Sequence, residues 1–343
     1  MTTHPETKAL EPPGYGAARQ SAALLDRSHR GKLLVRGADR RGYLHAMLTN
    51  DIQALSPGSG CYSAYLTPQG RMLADMRVLD LGEVLLIDLD RDVAADVLAR
   101  LDGFIFSEDV QLGDVTDTFG LVSVVGPAAG AVVSSVLGQL PGELSSWREF
   151  QNAKAAFAGD VAFVVSSTEV GAEGFDIFVP RESVDRLISE LEAAGAAKLS
   201  PEAAETLRVE AGRPVFARDM DRDTIPLEGG IEGRAVSFTK GCYPGQEVVI
   251  RILHRGHGRI ARRLSGLVLD GDTVPGAGDM VRSGDTEAGR VTSAVWSPLA
   301  GRPIALAMLH RDFLAPGTRL DVLHGDDRLT AEVAEMGRWD RRS

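Results

Sequence analysis

Lys240-Gly241-Cys242-Tyr243-Pro244-Gly245-Gln246-Glu247 is the segment that says most about the fold and function of this chain. Its two glycines permit backbone angles closed to other residues, and Pro244 fixes its own φ, so the segment is not expected to be regular helix. It sets a thiol near a cation, which favours thiolate and suits a nucleophile, a redox centre or a metal ligand. A lone cysteine is more often a small buried hydrophobe. The polar residues and glycines around Cys242 favour a functional interpretation.

Six further segments extend this pattern over most of the chain. In order they are Asp26-Arg27-Ser28-His29-Arg30-Gly31-Lys32, Leu48-Thr49-Asn50-Asp51-Ile52, Gly171-Ala172-Glu173-Gly174-Phe175-Asp176, Arg208-Val209-Glu210-Ala211-Gly212, Ile225-Pro226-Leu227-Glu228 and Gly289-Arg290-Val291-Thr292-Ser293. Together with the octapeptide, these segments resemble the YgfZ family. Its members are folate-binding relatives of the glycine-cleavage T-protein and include mitochondrial iron–sulfur assembly factors.

The resemblance implies an α+β, T-protein-like fold, with two interleaved α/β domains and a C-terminal antiparallel β-barrel around a central folate cavity. We therefore expect a flexible N-terminus over residues 1–18, a folate-binding region over 19–250 and the barrel over 264–343. The residue pattern itself also predicts a barrel, because the chain after Arg263 shows short strands and Gly/Pro turns without a long helix.

Hydrophobic periodicity predicts several elements directly. Apolar residues recur at helical spacing within 182–194, and Ser200 before Pro201 predicts the start of a second helix that ends at Ala211. Residues 72–79 and 84–89 are expected to form strands joined by a turn. The uncharged stretch 119–142 is long enough to span a membrane, but Gly126-Pro127 interrupts it, and we interpret it as a core strand followed by a helix.

The composition is that of an ordinary globular protein of two or three domains, with 343 residues, 44% hydrophobic and 25% charged. The formal net charge of −11 argues against stable binding along a nucleic acid, which depends on neutralising many phosphates. The two cysteines, Cys61 and Cys242, form neither a disulfide framework nor a metal-ligand cluster, so no metal is expected and a reducing cytoplasm is the simplest setting. The first 16 residues show no signal peptide, and no membrane partner is expected.

A folate site needs a carboxylate for the amino-pyrimidine edge of the pterin and cations for the glutamate tail. By the resemblance, Asp176 stands where the family has a Glu, and Arg208 is a second folate contact whose planar donor fork suits a carboxylate or a ring. The residue pattern leaves other interpretations open. Asp176 alternates with apolar neighbours and could simply point outward from a strand. Arg208 could form a surface ion pair with Glu205, three residues earlier on one helix.

Aromatic and basic residues supply further candidates. Tyr65 and Phe216 are candidates for the wall of the folate cavity, although core packing is the commoner fate of either. Arg251 opens a run to Arg263 that holds five arginines, two histidines and no acid, and this run could receive a polyglutamyl tail, a protein partner or an RNA backbone. It could equally be a solvated connector into the barrel.

The principal hypothesis is a protein that binds tetrahydrofolate, or a derivative, and assists maturation or repair of iron–sulfur proteins, with an indirect effect on tRNA modification. Cys242 would be the reactive thiol, Lys240 would lower its pKa, and Gln246 and Glu247 would position it or a ligand. Two distant cysteines do not make the usual ligand set of a cluster, so iron–sulfur client or assembly proteins are the expected partners.

Two other hypotheses remain open. One is a folate-dependent aminomethyltransferase of glycine cleavage, which by the resemblance carries two adjacent aspartates where an ungapped alignment places Ala74 and Asp75. Half of that pair is missing here, and that enzyme lacks the Lys-Gly-Cys-Tyr motif. The other is a folate-sensing scaffold without turnover. The sequence offers no acid–base pair that names a reaction, so enzymatic activity is left open.

Overall fold

The protein is described here from a computed structural model that covers residues 11–254 and 260–339. Its α-helices are α1 Tyr15–Gln20, α2 Arg40–Met47, α3 Arg91–Asp102, α4 Ala129–Val136, α5 Val184–Ala193, α6 Pro201–Glu210, α7 Pro226–Gly229, α8 Glu232–Ala235 and α9 Gln246–His254. The strands of its two open sheets are β1 Ala23–Asp26, β2 Gly31–Arg36, β3 Gly60–Leu66, β4 Met72–Asp80, β5 Leu85–Leu89, β6 Gln111–Asp114, β7 Phe119–Val125, β8 Asn152–Phe157, β9 Asp160–Ser167, β10 Gly174–Pro180 and β11 Ala197–Lys198. The later strands are β12 Arg262–Leu269, β13 Met280–Ser283, β14 Thr286–Ser297, β15 Arg302–His310, β16 Arg319–His324 and β17 Asp327–Ala334.

Two sheets form the larger part of the molecule, and the chain passes between them twice. One sheet has the strand order β11-β1-β7-β10-β9-β8, and the other has the order β3-β4-β5-β2-β6. After β1 the chain leaves the first sheet, builds the whole of the second, and returns at β7. The interleaving of two α/β domains expected from the resemblance is therefore confirmed.

The C-terminal strands close into a six-stranded antiparallel barrel in the order β12-β15-β14-β13-β16-β17. Its interior is filled by alternate apolar side chains of each strand, as expected for a small barrel. They include Leu267, Val281, Val291, Leu309, Val322 and Val333. The predicted barrel is confirmed, although the sequence analysis missed the short strand β13.

Helix α6 links the barrel to the rest of the molecule. Its N-cap is Ser200, whose hydroxyl accepts the N–H of Ala203, with Pro201 in the first turn, as the sequence predicts. Val209 packs in one cluster with barrel residues, and Trp339 donates its indole N–H to the carbonyl of Glu210 at 2.6 Å. The helix is thus held on both sides, which fixes the side chains that it presents to the interior.

Two expectations about local structure need correcting. The stretch predicted to be a flexible N-terminus, residues 1–18, includes the first part of α1, where the buried Tyr15 donates its hydroxyl hydrogen bond to Glu210, 2.8 Å from Oε2. The octapeptide ends in a helix, because Gln246 and Glu247 form the first turn of α9. Part of the arginine run lies outside the described residues, at positions 255–259. Within the described ranges, no helix has the length and apolarity needed to cross a membrane.

Candidate functional site

A cavity of about 580 Å³ lies where the two sheets and α6 meet, a volume within the usual range for small-molecule sites. Its wall is built from the β1–β2 turn, the middle of β4, the start of α3, one face of α6 and the segment after α6. The charged residues in this wall are Asp26, Arg27, His29, Arg30, Asp75, Arg77, Asp90, Asp92, Glu169, Glu205, Arg208 and Arg218. Because cations and carboxylates both line it, the cavity suits a ligand that carries both polar ring edges and charge.

Strand β4 determines which side chains face this cavity. Asp75 and Arg77 are two residues apart and therefore lie on one face of the strand, and both line the cavity. The antiparallel register pairs Tyr62 of β3 with Arg77, so Tyr62 shares that face. Tyr65 pairs with Ala74, which puts both on the opposite face, among the buried apolar side chains of the second sheet. Tyr65 is therefore a core residue, and the prediction that it forms the cavity wall is corrected in favour of Tyr62.

Asp75 is a buried carboxylate in this wall, and its described hydrogen-bond partners are neutral. Its Oδ2 accepts the hydroxyl hydrogen of Tyr62 at 2.7 Å and the backbone N–H of Phe216 at 3.4 Å. Within the described part of the chain no donor reaches Oδ1, so that oxygen is left for a ligand. Burial raises the pKa of Asp75 to about 6, which outweighs the opposing effect of the Tyr62 hydrogen bond. A carboxyl group with such a pKa can exchange a proton near neutral pH.

Asp176 lies outside this cavity, and its predicted contact with a pterin edge needs correcting. It is 1% exposed, and its carboxylate accepts hydrogen bonds from Arg77 and from the hydroxyl of Ser123, with Arg27 3.5 Å away. Burial opposes ionisation, but the charges of Arg77 and Arg27 hold the pKa of Asp176 below its usual value. The carboxylate is therefore ionised and already paired inside the protein. The alternation of apolar neighbours along β10 could not reveal an arginine that arrives from the other sheet.

Arg208 and Phe216 do line the cavity. Phe216 is 3% exposed and lies beside Asp75 through its backbone N–H. Arg208 is also buried, and its guanidinium is held by Glu205, Asp219, the carbonyl of Arg213 and Ser293. The ion pair with Glu205 that the sequence left open is present, although in the wall of the cavity rather than on the outer surface. A folate contact of Arg208 stays a prediction.

The segment that carries Cys242 lies against α2 and the β3–β4 turn, and it supplies none of the residues that line the cavity. Lys240 is buried, and its ammonium donates to the carbonyls of His45, Leu48 and Asn50, the last at 3.2 Å. Burial lowers the pKa of Lys240 to about 8. Lys240 thus caps the C-terminal end of α2, an anchoring role that the sequence did not suggest.

Two more residues fix this segment after the thiol. Tyr243 is 6% exposed and its ring lies 5.0 Å from the Lys240 nitrogen. Gly245 has φ +81°, and a Cβ there would lie 2.6 Å from the carbonyl oxygen of Thr67. Cys242 is exposed between Lys240 and these two anchors. The other cysteine, Cys61, is partly buried, and burial raises the pKa of its thiol to about 12, which suits a structural role.

The remaining predicted site residues are separate from the cavity. Glu247 and Arg251 are exposed on α9, and Gln246 is half-buried at its start. The structure therefore brings together Phe216 and Arg208 at the cavity, and Lys240, Cys242, Gln246 and Glu247 in one surface segment. Among residues 11–254 and 260–339, no three His, Cys, Asp or Glu side chains are grouped to hold a metal ion.

Comparison with known proteins gives the same architecture over most of the chain. Residues 14–240 match the GCVT N-terminal domain, and residues 262–340 match the glycine cleavage T-protein C-terminal barrel domain. The chain belongs to the glycine cleavage T-protein family. An aminomethyltransferase of Streptomyces coelicolor is 32% identical over 312 residues, which cover 88% of this chain and 82% of that protein. One from Synechococcus elongatus is 32% identical over 300 residues, covering 85% and 78% respectively.

The fold of this T-protein family member is also that of a solved structure. The crystal structure of glycine cleavage system aminomethyltransferase T from Bartonella henselae superposes with a TM-score of 0.85 at 22% identity, covering 94% of this chain and 88% of that one. The likeness confirms the predicted α+β T-protein-like fold. The relatives in this comparison are named aminomethyltransferases, which supports the alternative hypothesis of the sequence analysis better than the principal one.

The register of β4 also bears on the missing aspartate of this family member. Ala74 is fully buried on the face of the sheet opposite to the cavity, whereas Asp75 faces the cavity. Of the two positions at which the resemblance implies aspartates, the one occupied by Ala74 therefore points into the apolar core, and the one occupied by Asp75 faces the cavity.

Sequence reasoning missed several residues of this wall. Tyr62, Arg77 and Glu169 were not proposed, although all three line the cavity. Period-two alternation from Asp75 identifies Arg77, and the strand register then identifies Tyr62. Glu169 lies in a connection between strands, where no periodic signal applies. Arg234 holds it at 2.9 Å, and the guanidinium of Arg234 also lies 4.8 Å from the centre of the Tyr62 ring.

Proposed function

We propose that this protein binds tetrahydrofolate in the central cavity and transfers a one-carbon unit to it, as an aminomethyltransferase does. Tetrahydrofolate is the substrate or cofactor of the T-protein family. The observation that carries the proposal is Asp75, a carboxyl group with neutral partners, one free oxygen and a pKa near 6 inside a cavity of suitable volume.

The cavity residues fit a reduced folate in three respects. The free Oδ1 of Asp75 can accept an N–H of a pterin or of an amine. Phe216 and Tyr62 offer aromatic surface beside that carboxylate. Arg208 and Arg218 lie further along the wall, where a benzoylglutamate portion needs cations.

Asp75 is the group that we assign to proton transfer. In aminomethyl transfer from a thioether, the methylene carbon passes to the two folate nitrogens, the thiol is regenerated and ammonia leaves. The folate nitrogens lose their protons in this exchange, and the leaving groups gain them. A carboxyl group near pKa 6 can take and return such a proton, an effect worth roughly 10²–10⁴ in rate.

The test combines binding and turnover. Calorimetric titration with tetrahydrofolate and an assay of ammonia release from an aminomethyl thioether would compare wild type with Asp75→Asn, using Asp117→Asn at an exposed site as the control. We expect binding by all three proteins and a loss of at least about a hundredfold in rate only for Asp75→Asn. Absence of tetrahydrofolate binding by the wild type would overturn the proposal.

One observation favours a second candidate function, the YgfZ-like role in iron–sulfur protein maturation. Cys242 is exposed on a segment that is anchored on both sides of it, so the thiol is presented to other molecules. In this role the thiol would meet an iron–sulfur client or assembly protein, with folate bound separately, and the cell compartment would be the cytoplasm. Binding of tetrahydrofolate without aminomethyl transfer would favour it, as would loss of iron–sulfur enzyme activity in cells carrying Cys242→Ser but not Asp75→Asn.

A further inference from the structure

Glu205 forms ion pairs with both Arg208 and Arg218 in the cavity wall. Residues 201, 204, 205 and 208 of α6 line the cavity, a spacing that places them on one side of the helix. Glu205 Oε2 accepts the Nε–H of Arg208 at 2.8 Å, and Oε1 accepts a terminal N–H of the same guanidinium at 2.6 Å. Arg218 approaches Oε2 from the other side at 2.7 Å. This bidentate arrangement is the geometry in which an arginine binds a ligand carboxylate.

The other partners of Arg208 leave no donor for a ligand. One terminal nitrogen donates to the carbonyl of Arg213 and to Asp219 at 2.7 Å, and the second hydrogen of the other donates to Ser293 at 2.7 Å. With the two bonds to Glu205, all five N–H groups are used. A ligand carboxylate can therefore reach Arg208 only if one of these acceptors moves away.

Exposure indicates which acceptor moves. The Asp219 side chain is fully buried and also accepts hydroxyl hydrogens from Thr292 and Ser293 of the barrel. The Glu205 side chain is 24% exposed, and that of Arg218 is 54% exposed. Glu205 can rotate into solvent without breaking the link to the barrel, whereas Asp219 cannot.

We propose that Glu205 acts as an internal substitute for a ligand carboxylate, so that an anionic tail binds to Arg208 and Arg218 only by displacing it. Glu205 then determines how strongly the cavity prefers ligands with a carboxylate tail over ligands without one. This inference rests on the proposed function where the ligand is a folate, because the glutamate tail supplies the competing carboxylates.

A substitution of similar shape can remove the charge of Glu205. Glu205→Gln keeps one carbonyl acceptor for Arg208 but removes the negative charge that Glu205 places between the two arginines. A ligand carboxylate would then meet two cations that, among the described residues, Asp219 alone compensates, in a partly buried site where charge-assisted hydrogen bonds are about twice as strong as neutral ones. Glu202→Gln is the matched control, because Glu202 is exposed in the first turn of the same helix and does not line the cavity.

The experiment measures dissociation constants of wild type, Glu205→Gln and Glu202→Gln for three probes by calorimetry. The probes are tetrahydrofolate, tetrahydropterin, which carries no carboxylate, and γ-glutamylglutamate, which lacks the pterin. We expect Glu205→Gln to bind tetrahydrofolate and γ-glutamylglutamate at least tenfold more tightly than wild type, with tetrahydropterin changed less than twofold and Glu202→Gln unchanged.

The outcomes separate this inference from the proposed function. Tetrahydrofolate binding by the wild type with no gain in Glu205→Gln, or an equal gain for tetrahydropterin, would overturn the role of Glu205 and leave folate binding intact. Failure of every protein to bind either pterin, together with tighter binding of γ-glutamylglutamate by Glu205→Gln, would overturn the folate proposal and support the role of Glu205. No gain for γ-glutamylglutamate in that case would overturn both.

Discussion

Arg77 of β4 donates a hydrogen bond to Asp176 of β10, and this buried pair joins the two sheets beneath the central cavity. The same guanidinium donates to Asp88 of β5 at 2.7 Å, so Arg77 is held between one acid from each sheet. Both partners of the inter-sheet pair are 1% exposed. Removal of one partner from such a pair leaves a buried charge without compensation, which costs more than the pair itself contributes.

We therefore predict that Asp176→Ala affects stability and not ligand binding. The free energy of unfolding should fall by about 3 kcal/mol, because Arg77 loses a buried counter-ion. Asp117→Ala removes an exposed partner of Arg91 and should cost less than about 1 kcal/mol. Urea unfolding of both variants measures the difference. A tetrahydrofolate affinity lost in folded Asp176→Ala would restore Asp176 as a ligand contact.

The contribution of Asp176 to the free energy of unfolding should also depend on pH. Its pKa in the folded protein lies below the unfolded value, so its contribution to stability is present above about pH 4 and is lost as the pH falls through the folded pKa. The gap in unfolding free energy between wild type and Asp176→Ala should accordingly narrow in acid. A gap that stayed constant down to pH 2 would show that packing, not charge, accounts for it.

The contribution of Asp75 to stability is predicted to change with pH in the opposite direction. Burial raises its pKa to about 6 from 3.8, so its contribution to stability is present below about pH 4 and is lost as the pH rises through 6. The free energy of unfolding of Asp75→Asn should therefore exceed that of wild type by about 3 kcal/mol at pH 7 and should be about equal to it at pH 3.5. Thermal or urea unfolding at the two pH values checks this, with Asp117→Asn unchanged at both. A variant that is more stable but inactive is the usual result when a strained active-site group is removed.

Features of this molecule that depend on neighbouring residues were predicted from the sequence better than features that depend on residues far apart in the chain. Local patterns identified the helix that starts after Ser200 and most strands of the barrel, because caps, turns and alternation act within a few residues. Helix α9 was missed, since Gly245 and the charged residues obscure an apolar face formed by Val249, Ile252 and Leu253. The interleaving of the two α/β domains was predicted from the family resemblance and not from local patterns.

The candidate site was harder to predict because its residues meet through long-range contacts. Alternation along β10 predicted that Asp176 faces away from its apolar neighbours, but not that Arg77 of another sheet covers it. In the same way, the position of Lys240 suggested a cation beside the thiol of Cys242. Its ammonium is directed to the end of α2, nearly 200 residues earlier in the chain.

Gly245 offers a test of how the Cys242 segment is held. Gly245→Ala should lower the free energy of unfolding by at least about 2 kcal/mol, because a Cβ would combine a positive φ with a contact of 2.6 Å to a backbone oxygen. Gly325→Ala is the control, since Gly325 also has a positive φ, +58°, with no atom within 4 Å of the added Cβ. It should cost about 1 kcal/mol. Equal losses in the two variants would show that the contact with Thr67 relaxes freely.

Cys242 and Cys61 should differ sharply in reactivity. Cys242 is exposed, whereas burial raises the pKa of Cys61 to about 12, so its thiolate is scarce near neutral pH. Iodoacetamide at pH 7.5 should alkylate Cys242 at least a hundredfold faster than Cys61, with each rate measured in the variant that lacks the other cysteine. Comparable rates in Cys61→Ser and Cys242→Ser would contradict the presentation of Cys242 as an accessible thiol.

Lys240→Gln then separates two roles of the lysine. If its charge activates the thiol, the pH at which alkylation of Cys242 reaches half its maximal rate should rise in this variant. The structure supports anchoring instead, because the ammonium donates to three carbonyls at the end of α2. We therefore expect an unchanged pH profile together with a loss of about 1–3 kcal/mol in unfolding free energy, the cost of leaving buried carbonyls without donors. A shift of the pH profile without loss of stability would assign Lys240 to activation, and the anchoring role would be wrong.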